Sequence, residues 1–442
     1  RRQAAALTSE GAEAAEQARV LEEQIARLRS ERERLMQEPA RRAELWRTEA
    51  SLATLEHDLS EQYTRALALH AMAVEIDTTF AEPRRFLSAH YWKRFLEAEW
   101  EGDSLRMAEA RAHLRLHDPA QARACDDARG SIVVTSVPPG AAVELFRYED
   151  GEDRRLTPRP VTERAENLPA GSYLAVLTLE GRRAARLPFA ITRRFPHVTA
   201  VVHLLTEQDI GPDFIHVPAG RYVLDADSDR KVIELPDLIV GRHEVTQGEY
   251  QEWLSWLAEA EGEKKMKERL PKGWEILDGR AQPRDEKDTD PRLPIVGIAW
   301  KQARDYCRWR AQRDGLDWRL PSVLEREAFV SAADARPFPW GRTFDWMWTN
   351  GGHSLETQKA LPVGSVAADE SPFGIRDLAG NVKEWCADWQ EKKTTKHRAI
   401  RGGAYGDMDW TEFRASSEDG DPPDEEDEEI GFRIVRTLEP GR

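Results

Sequence analysis

The stretch Phe373-Gly-Ile-Arg-Asp-Leu-Ala-Gly-Asn-Val-Lys-Glu-Trp385, continued by Cys386-Ala-Asp-Trp389, organises this chain. Gly380-Asn381 signals a tight turn, because glycine and asparagine are the residues that enter left-handed backbone most readily. Asp377 and Glu384 bracket the turn, and Trp385 and Trp389 follow it four residues apart. Two readings are open at this level. The turn simply reverses the chain between solvated carboxylates, or its carbonyls and carboxylates offer a hard cation such as calcium the oxygen ligands it takes.

Around this stretch the chain is long and acidic. Its 442 residues exceed one compact core, so two to four domains are expected. A net charge of −16 argues against nucleic acid as the main partner. No apolar run reaches transmembrane length, so no membrane segment is expected within the chain. It opens on Arg1-Arg2 with no initiator methionine, and we read it as a piece of something longer. Cys125, Cys307 and Cys386 show no CxxC spacing, which excludes a zinc knuckle or redox pair and leaves the compartment open. Twelve of the fifteen tryptophans lie after residue 250, marking a C-terminal domain of a different kind.

Residues 1–127 read as helical. Leu21, Leu28 and Leu35 repeat every seven residues with Ile25 between, and Leu45, Leu52 and Leu59 do so with Leu55. That heptad seam, interrupted at Glu38-Pro39, predicts an antiparallel coiled-coil hairpin. Further amphipathic helices resemble tetratricopeptide repeats, though their packing positions are incomplete. This region is expected to be a stalk able to self-associate. His113 and His117, four apart on its last helix, have the spacing of a metal pair but lack a third ligand, and Asp118-Pro119 should end that helix.

Residues 128–206 read as a small all-β, sandwich-like module. Strand-like runs at Ser131–Val137, Ala142–Phe146, Leu174–Leu179, Phe189–Ile191 and Val198–Leu204 are separated by turns at Pro138-Pro-Gly140 and Leu168-Pro-Ala-Gly-Ser-Tyr173. Val137-Pro-Pro-Gly-Ala141, with Pro139 in place of the usual Glu, makes the module resemble the PEGA domain, which implies an interaction module or spacer rather than chemistry.

Residues 207–442 carry seven further signatures in order: Phe214–Tyr222, His243-Glu-Val-Thr-Gln-Gly-Glu-Tyr250, Pro294–Trp300, Trp318-Arg-Leu-Pro-Ser322, Phe338-Pro-Trp-Gly341, the opening stretch, and Arg401-Gly-Gly-Ala-Tyr405 with Ile430–Val435. Thr246 and Glu249 form a capping box before a helix bearing Trp253 and Trp256. In this order the segments resemble the formylglycine-generating enzyme (sulfatase-modifying factor) family. The resemblance implies an α+β fold of the C-type-lectin type, rich in turns and tryptophan.

What the resemblance implies about chemistry depends on particular residues. Members that oxidise a substrate cysteine hold copper between two thiolates, the soft ligands that copper(I) needs. Those two positions fall here on Asp407 and Thr411, so no copper is expected. Ala404 replaces the usual Ser, Lys383 an aromatic residue, and the Thr-Glu-Ala-Glu-Trp-Glu run after Arg-Leu-Pro reads Ser322-Val-Leu-Glu-Arg-Glu327, without its Trp. Cys307 and Cys386 read as small buried hydrophobes. Iron-dependent members take histidines from a preceding helical domain, where His113 and His117 are the candidates. The resemblance also implies one structural calcium, held by Asp377, the carbonyls of Gly380 and Val382, and Glu384. A second calcium site, beginning at Asn350, lacks an obvious second carboxylate.

Glu418 to Glu429 holds nine acidic residues in twelve. It reads as a solvated loop or as a recognition surface for a basic partner or cations. With Asp407, Asp409 and Trp410, its residues Glu418, Asp419 and Asp421 form the expected ligand or partner surface. The resulting expectation is a non-catalytic binding or sensor module on a helical scaffold, with a protein or small ligand at its C-terminal head. Such heads resemble the sensor portions of bacterial membrane Ser/Thr kinases, which implies an extracytoplasmic place anchored by a segment upstream. The alternative is a metal-dependent oxidase of the formylglycine-generating or non-haem iron type.

Overall fold

In the computed structural model, residues 1–36, 41–225, 230–285, 289–354, 358–390 and 396–438 are described. The chain divides into two compact units, Arg1–Asp127 and Ala128–Arg442.

The first unit is helical. Helices α1 (Arg2–Met36) and α2 (Arg42–Ile76) are 35 residues each. Contacts pairing Arg29 with Glu56, Glu22 with Tyr63, and Gly11 with His70 show that they run antiparallel. The expected break at Glu38-Pro39 lies outside the described residues. Ile25, Leu35 and Leu52 of the expected seam are buried. The N-terminal half of the seam is instead made of small residues, Ala4, Thr8, Gly11, Ala14 and Ala18. Gly11 allows a close approach there, since a Cβ would lie 3.0 Å from the His70 ring. Helices α3 (Ala81–Glu101), α4 (Ser104–His117) and α5 (Pro119–Ala124) follow, with Asp103 capping α4 and Asp118 capping α5. Phe95, Ala110, Leu114 and Ala122 form their core.

The second unit begins with seven strands. These are β1 (Arg129–Val137), β2 (Ala142–Asp150), β3 (Leu156–Pro160), β4 (Leu168–Pro169), β5 (Gly171–Thr178), β6 (Ala185–Ile191) and β7 (His197–His203). They form two sheets, in the orders β3-β2-β5-β6 and β4-β1-β7, around Ile132, Tyr173, Leu177, Phe189 and Val202. Strand β3 was not anticipated; its Pro158 and Pro160 mask the pattern, and it sits at a sheet edge, where prolines are tolerated. The module is packed tightly onto the C-terminal part of the same unit. Arg336 pairs with Asp334 in full burial, lies 4.3 Å over the Tyr148 ring and reaches Ser172. Arg186 donates to the Pro372 carbonyl at 2.7 Å. Asp237 accepts from both His203 of β7 and His216, at 2.8 and 2.6 Å. These contacts make it a docked part of one unit rather than a free spacer.

The remainder is α+β. After the short α6 (Glu207–Ile210) come β8 (Phe214–Val217), β9 (Gly220–Leu224), β10 (Lys231–Leu235) and β11 (Leu238–Gly241). Helices α7 (Gln247–Ala260) and α8 (Glu263–Lys267) precede a hairpin of β12 (Trp274–Leu277) and β13 (Arg280–Pro283). Helices α9 (Trp300–Asp314) and α10 (Val323–Ser331) lead to β14 (Lys383–Trp389), β15 (Arg398–Arg401), β16 (Asp419–Asp421), β17 (Ile430–Gly431) and β18 (Val435–Thr437). Thr246 caps α7, and Glu249 completes the box, as read from sequence. Tryptophans 253, 300, 309, 318 and 385 fill the main core with Tyr250, Tyr306 and Phe432. The central sheet runs β16-β15-β14-β17, and it carries the site.

Candidate functional site

Strand β14 places Lys383 and Glu384 on opposite faces, because successive strand side chains alternate. The turn before it is shaped as expected. Asn381 has φ 78° and Asp377 φ 54°, left-handed values that Asn and Asp tolerate best. Gly380 is needed for close approach, since a Cβ would lie 2.2 Å from Thr349 Oγ1. Asn381 Oδ1 accepts from Leu361 N and Asn350 Nδ2, at 2.9 and 3.0 Å. A carboxylate not singled out in the sequence holds the turn from below. Asp369 accepts from the amides of Leu378, Ala379 and Gly380 at 3.0 to 3.2 Å. Burial nevertheless raises its carboxyl to about 6.

Glu384 is wholly buried and doubly clamped. Arg326 Nε and Nη2 donate to its two oxygens at 3.0 and 2.9 Å, and Arg433 Nε and Nη2 both donate at 2.7 Å. The two guanidiniums hold the carboxyl below its ordinary range against the cost of burial. The same arginines take loop carbonyls, Arg326 that of Leu378 at 2.7 Å and Arg433 that of Asp377 at 3.1 Å. Asp377 Oδ2 accepts from Gly364 N at 2.5 Å. Burial and the charge of Asp369 raise Asp377 to about 7, while burial and Asp377 raise Glu244 well above its usual value. One Glu244 oxygen is buried without a partner.

This geometry does not fit the calcium ligand set expected from Asp377, Gly380, Val382 and Glu384. Both Glu384 oxygens are saturated by guanidinium hydrogens, and a dication beside Arg326 and Arg433 would meet two like charges. What remains of that set is one carboxylate and two carbonyls, beside the unpartnered Glu244 oxygen. Among the described residues no group of three or more His, Cys, Asp or Glu is placed to hold a metal. Arg326, which stands where the related run has Trp, is one of the two side chains that occupy Glu384.

The other face of β14 carries the expected partner surface. Lys383 Nζ lies 3.4 Å from Asp407 and 3.0 Å from Asp419. Asp407 Oδ2 also caps Ala404 N at 2.7 Å. Thr411 lies in a 3₁₀ turn, Trp410–Phe413, capped by Asp409. Trp410 and Met408 are exposed, and Trp410 rests against Phe338 and Phe344. Asp419 and Asp421 belong to β16, which pairs with β15, so part of the acidic run is edge strand and not simply loop. Glu418 lies 4.0 Å from Arg401. Burial and neighbouring carboxylates raise Asp421 and Glu429, and burial raises Glu412, so this face has more acid than base. The structure thus gathers Asp407, Asp419 and Glu412 around Lys383, with Asp409 and Trp410 on the adjoining 3₁₀ turn.

No cysteine accompanies them. Cys307 lies in the core under α9, Cys386 is buried in β14, and Cys125 is in the helical unit. Burial pushes the Cys386 thiol up to about 12 and raises Cys307 as well, which keeps both protonated and inert. His113 and His117 pack as rings against Tyr91, stacked at 4.0 and 6.1 Å.

Comparison with known proteins fits this architecture. Residues 202–438, more than half of the chain, match the model of the sulfatase-modifying factor enzyme 1-like domain. The chain belongs to that family. Within the sulfatase-modifying factor family it is 29% identical over 162 residues to an inactive C-alpha-formylglycine-generating enzyme 2 of Bos taurus, covering 32% of this chain and 50% of that one. It is 27% identical over 174 residues to the formylglycine-generating enzyme of Streptomyces coelicolor, covering 33% and 53%. It is 28% identical over 160 residues to the serine/threonine-protein kinase pkn1 of Chlamydia caviae, covering 32% and 24%. The chain thus spans about half the length of the formylglycine relatives it matches and a quarter of the kinase.

Against the family pattern, the residues that sequence reasoning missed are Arg326, Asp369, Glu244 and Arg433. Arg326 could have been found, because a charged residue at an otherwise apolar helix position demands a buried partner. Asp369 could not, since its role depends on a fold-back of the chain.

Proposed function

We propose that this chain is a non-catalytic binding module of a signalling protein, whose head recognises a protein or small ligand through the face of Asp407, Asp409, Trp410, Glu418, Asp419 and Asp421. The observation that carries this reading is the Lys383–Asp407 ion pair. It stands at a position where copper chemistry needs a thiolate, and the second such position is Thr411. Similarity to an inactive formylglycine-generating enzyme and to a kinase supports the same reading. The surplus of carboxylates around one lysine, with Trp410 and Met408 exposed beside it, suits a basic ligand. In this proposal the β1–β7 module is PEGA-like and α1–α2 is a coiled-coil hairpin through which copies associate. The proposed place of this head is the extracytoplasmic side of a bacterial membrane.

The test has two parts. Metal content and oxygen uptake with a cysteine-containing peptide come first; stoichiometric copper or iron with turnover would sink the proposal in favour of an oxidase. Titration with a lysine-rich peptide comes second, read by tryptophan fluorescence in wild type, W410A and D419N. Binding that weakens with salt and in both variants is expected.

A further inference from the structure

We infer that Arg326 is the resident cation of the Asp377–Glu384 turn, so that this head folds around an internal guanidinium and needs no bound calcium. The inference rests on what Arg326 touches. It is 2% exposed and reaches across 58 residues to make a two-bond clamp on Glu384, and a third bond to the Leu378 carbonyl. Carboxylate and loop carbonyl are the oxygen types a hard cation collects. A planar guanidinium meets both at once with directed hydrogen bonds.

The surrounding groups close the rest of the turn. Arg433 supplies the second clamp on Glu384 and ties the Arg376 and Asp377 carbonyls. The Ala379 carbonyl accepts from Gly403 N at 2.7 Å, and the Asn381 carbonyl from Tyr405 N at 3.0 Å. From beneath, Asp369 satisfies three successive amides. The turn is thus braced by two arginines and one aspartate, each drawn from a different segment of the chain. In the related run that position is Trp, which brings no charge. The exchange of Trp for Arg therefore adds one fixed positive charge at the point where the family resemblance would place a divalent ion.

The wild-type protein gives the direct test. After desalting, atomic emission is expected to find far less than one calcium per chain. Thermal unfolding of the C-terminal unit is expected to be unchanged between excess EDTA and millimolar calcium chloride. One retained calcium per chain, or a midpoint lowered by EDTA and restored by calcium, overturns the inference and points to Asp377 and Glu244 as ligands instead. Two variants sharpen it. R326Q should lower the unfolding midpoint by about 5–10 °C, since a buried pair has lost one partner. R326K, which keeps the charge but not the fork, should lose less. An R326Q protein as stable as wild type overturns the inference. Should R326Q fail to fold, the chelation experiment on the wild type decides alone.

Discussion

Lys383 and Glu384 are consecutive residues of one strand, yet they face two opposite chemical worlds. Glu384 is dry, wholly buried and held by two arginines with four hydrogen bonds. Lys383, its side chain 14% exposed, lies nearer the surface, pairing with Asp407 and Asp419 amid carboxylates that outnumber it. On the dry side Glu384 itself is matched and saturated by its two guanidiniums, which suits stability. The wet side has a surplus of acid and exposed aromatic surface, which suits recognition. Function in this head is therefore sought on the Lys383 side.

The largest blow to that contrast would come from Glu384. E384A leaves two buried guanidiniums uncompensated and should cost about 3–5 kcal/mol in denaturant unfolding of the second unit. A cost near zero would mean that the two sides do not differ. D369A should rank next, at about 3 kcal/mol, because three buried amides lose their acceptor. The same unfolding curves measure it, and D369N should recover part of the loss.

Glu327 offers a pH-dependent version. Burial raises its carboxyl from 4.5 to about 7, so the folded state holds a proton that the unfolded state releases. Its contribution to stability is present below the unfolded value and is lost as pH rises towards about 7. E327Q, permanently neutral, should therefore gain on wild type as pH rises from about 5 to 8. Unfolding midpoints across that range check the sign. The smallest effect is expected on the wet side. K383M should cost about 1–2 kcal/mol, less than E384A, because the Lys383 pair is largely but not wholly buried. A loss as large as that of E384A would erase the distinction between the faces.

Much of this molecule could be read directly. The capping box at Thr246, the turn at Gly380-Asn381, the antiparallel α1–α2 pairing and the family of the C-terminal half all followed from local pattern, because caps, turns and heptads are encoded within a few residues. The partners of Glu384 were not legible. Nothing near Glu384 in sequence announces Arg326 or Arg433, which lie 58 and 49 residues away. The prolines of β3 concealed a strand for a similar reason, as only its pairing with β2 reveals it.

The sequence by itself determined most of the elements and the family. Tertiary structure decided how each charge is neutralised. A carboxylate's identity states that it needs a counter-charge when buried, but whether that is an ion, a lysine or two arginines depends on which segments the fold brings within about 3 Å. Glu384 found its partners inside the protein, and the carboxylates gathered around Lys383 share one lysine among them.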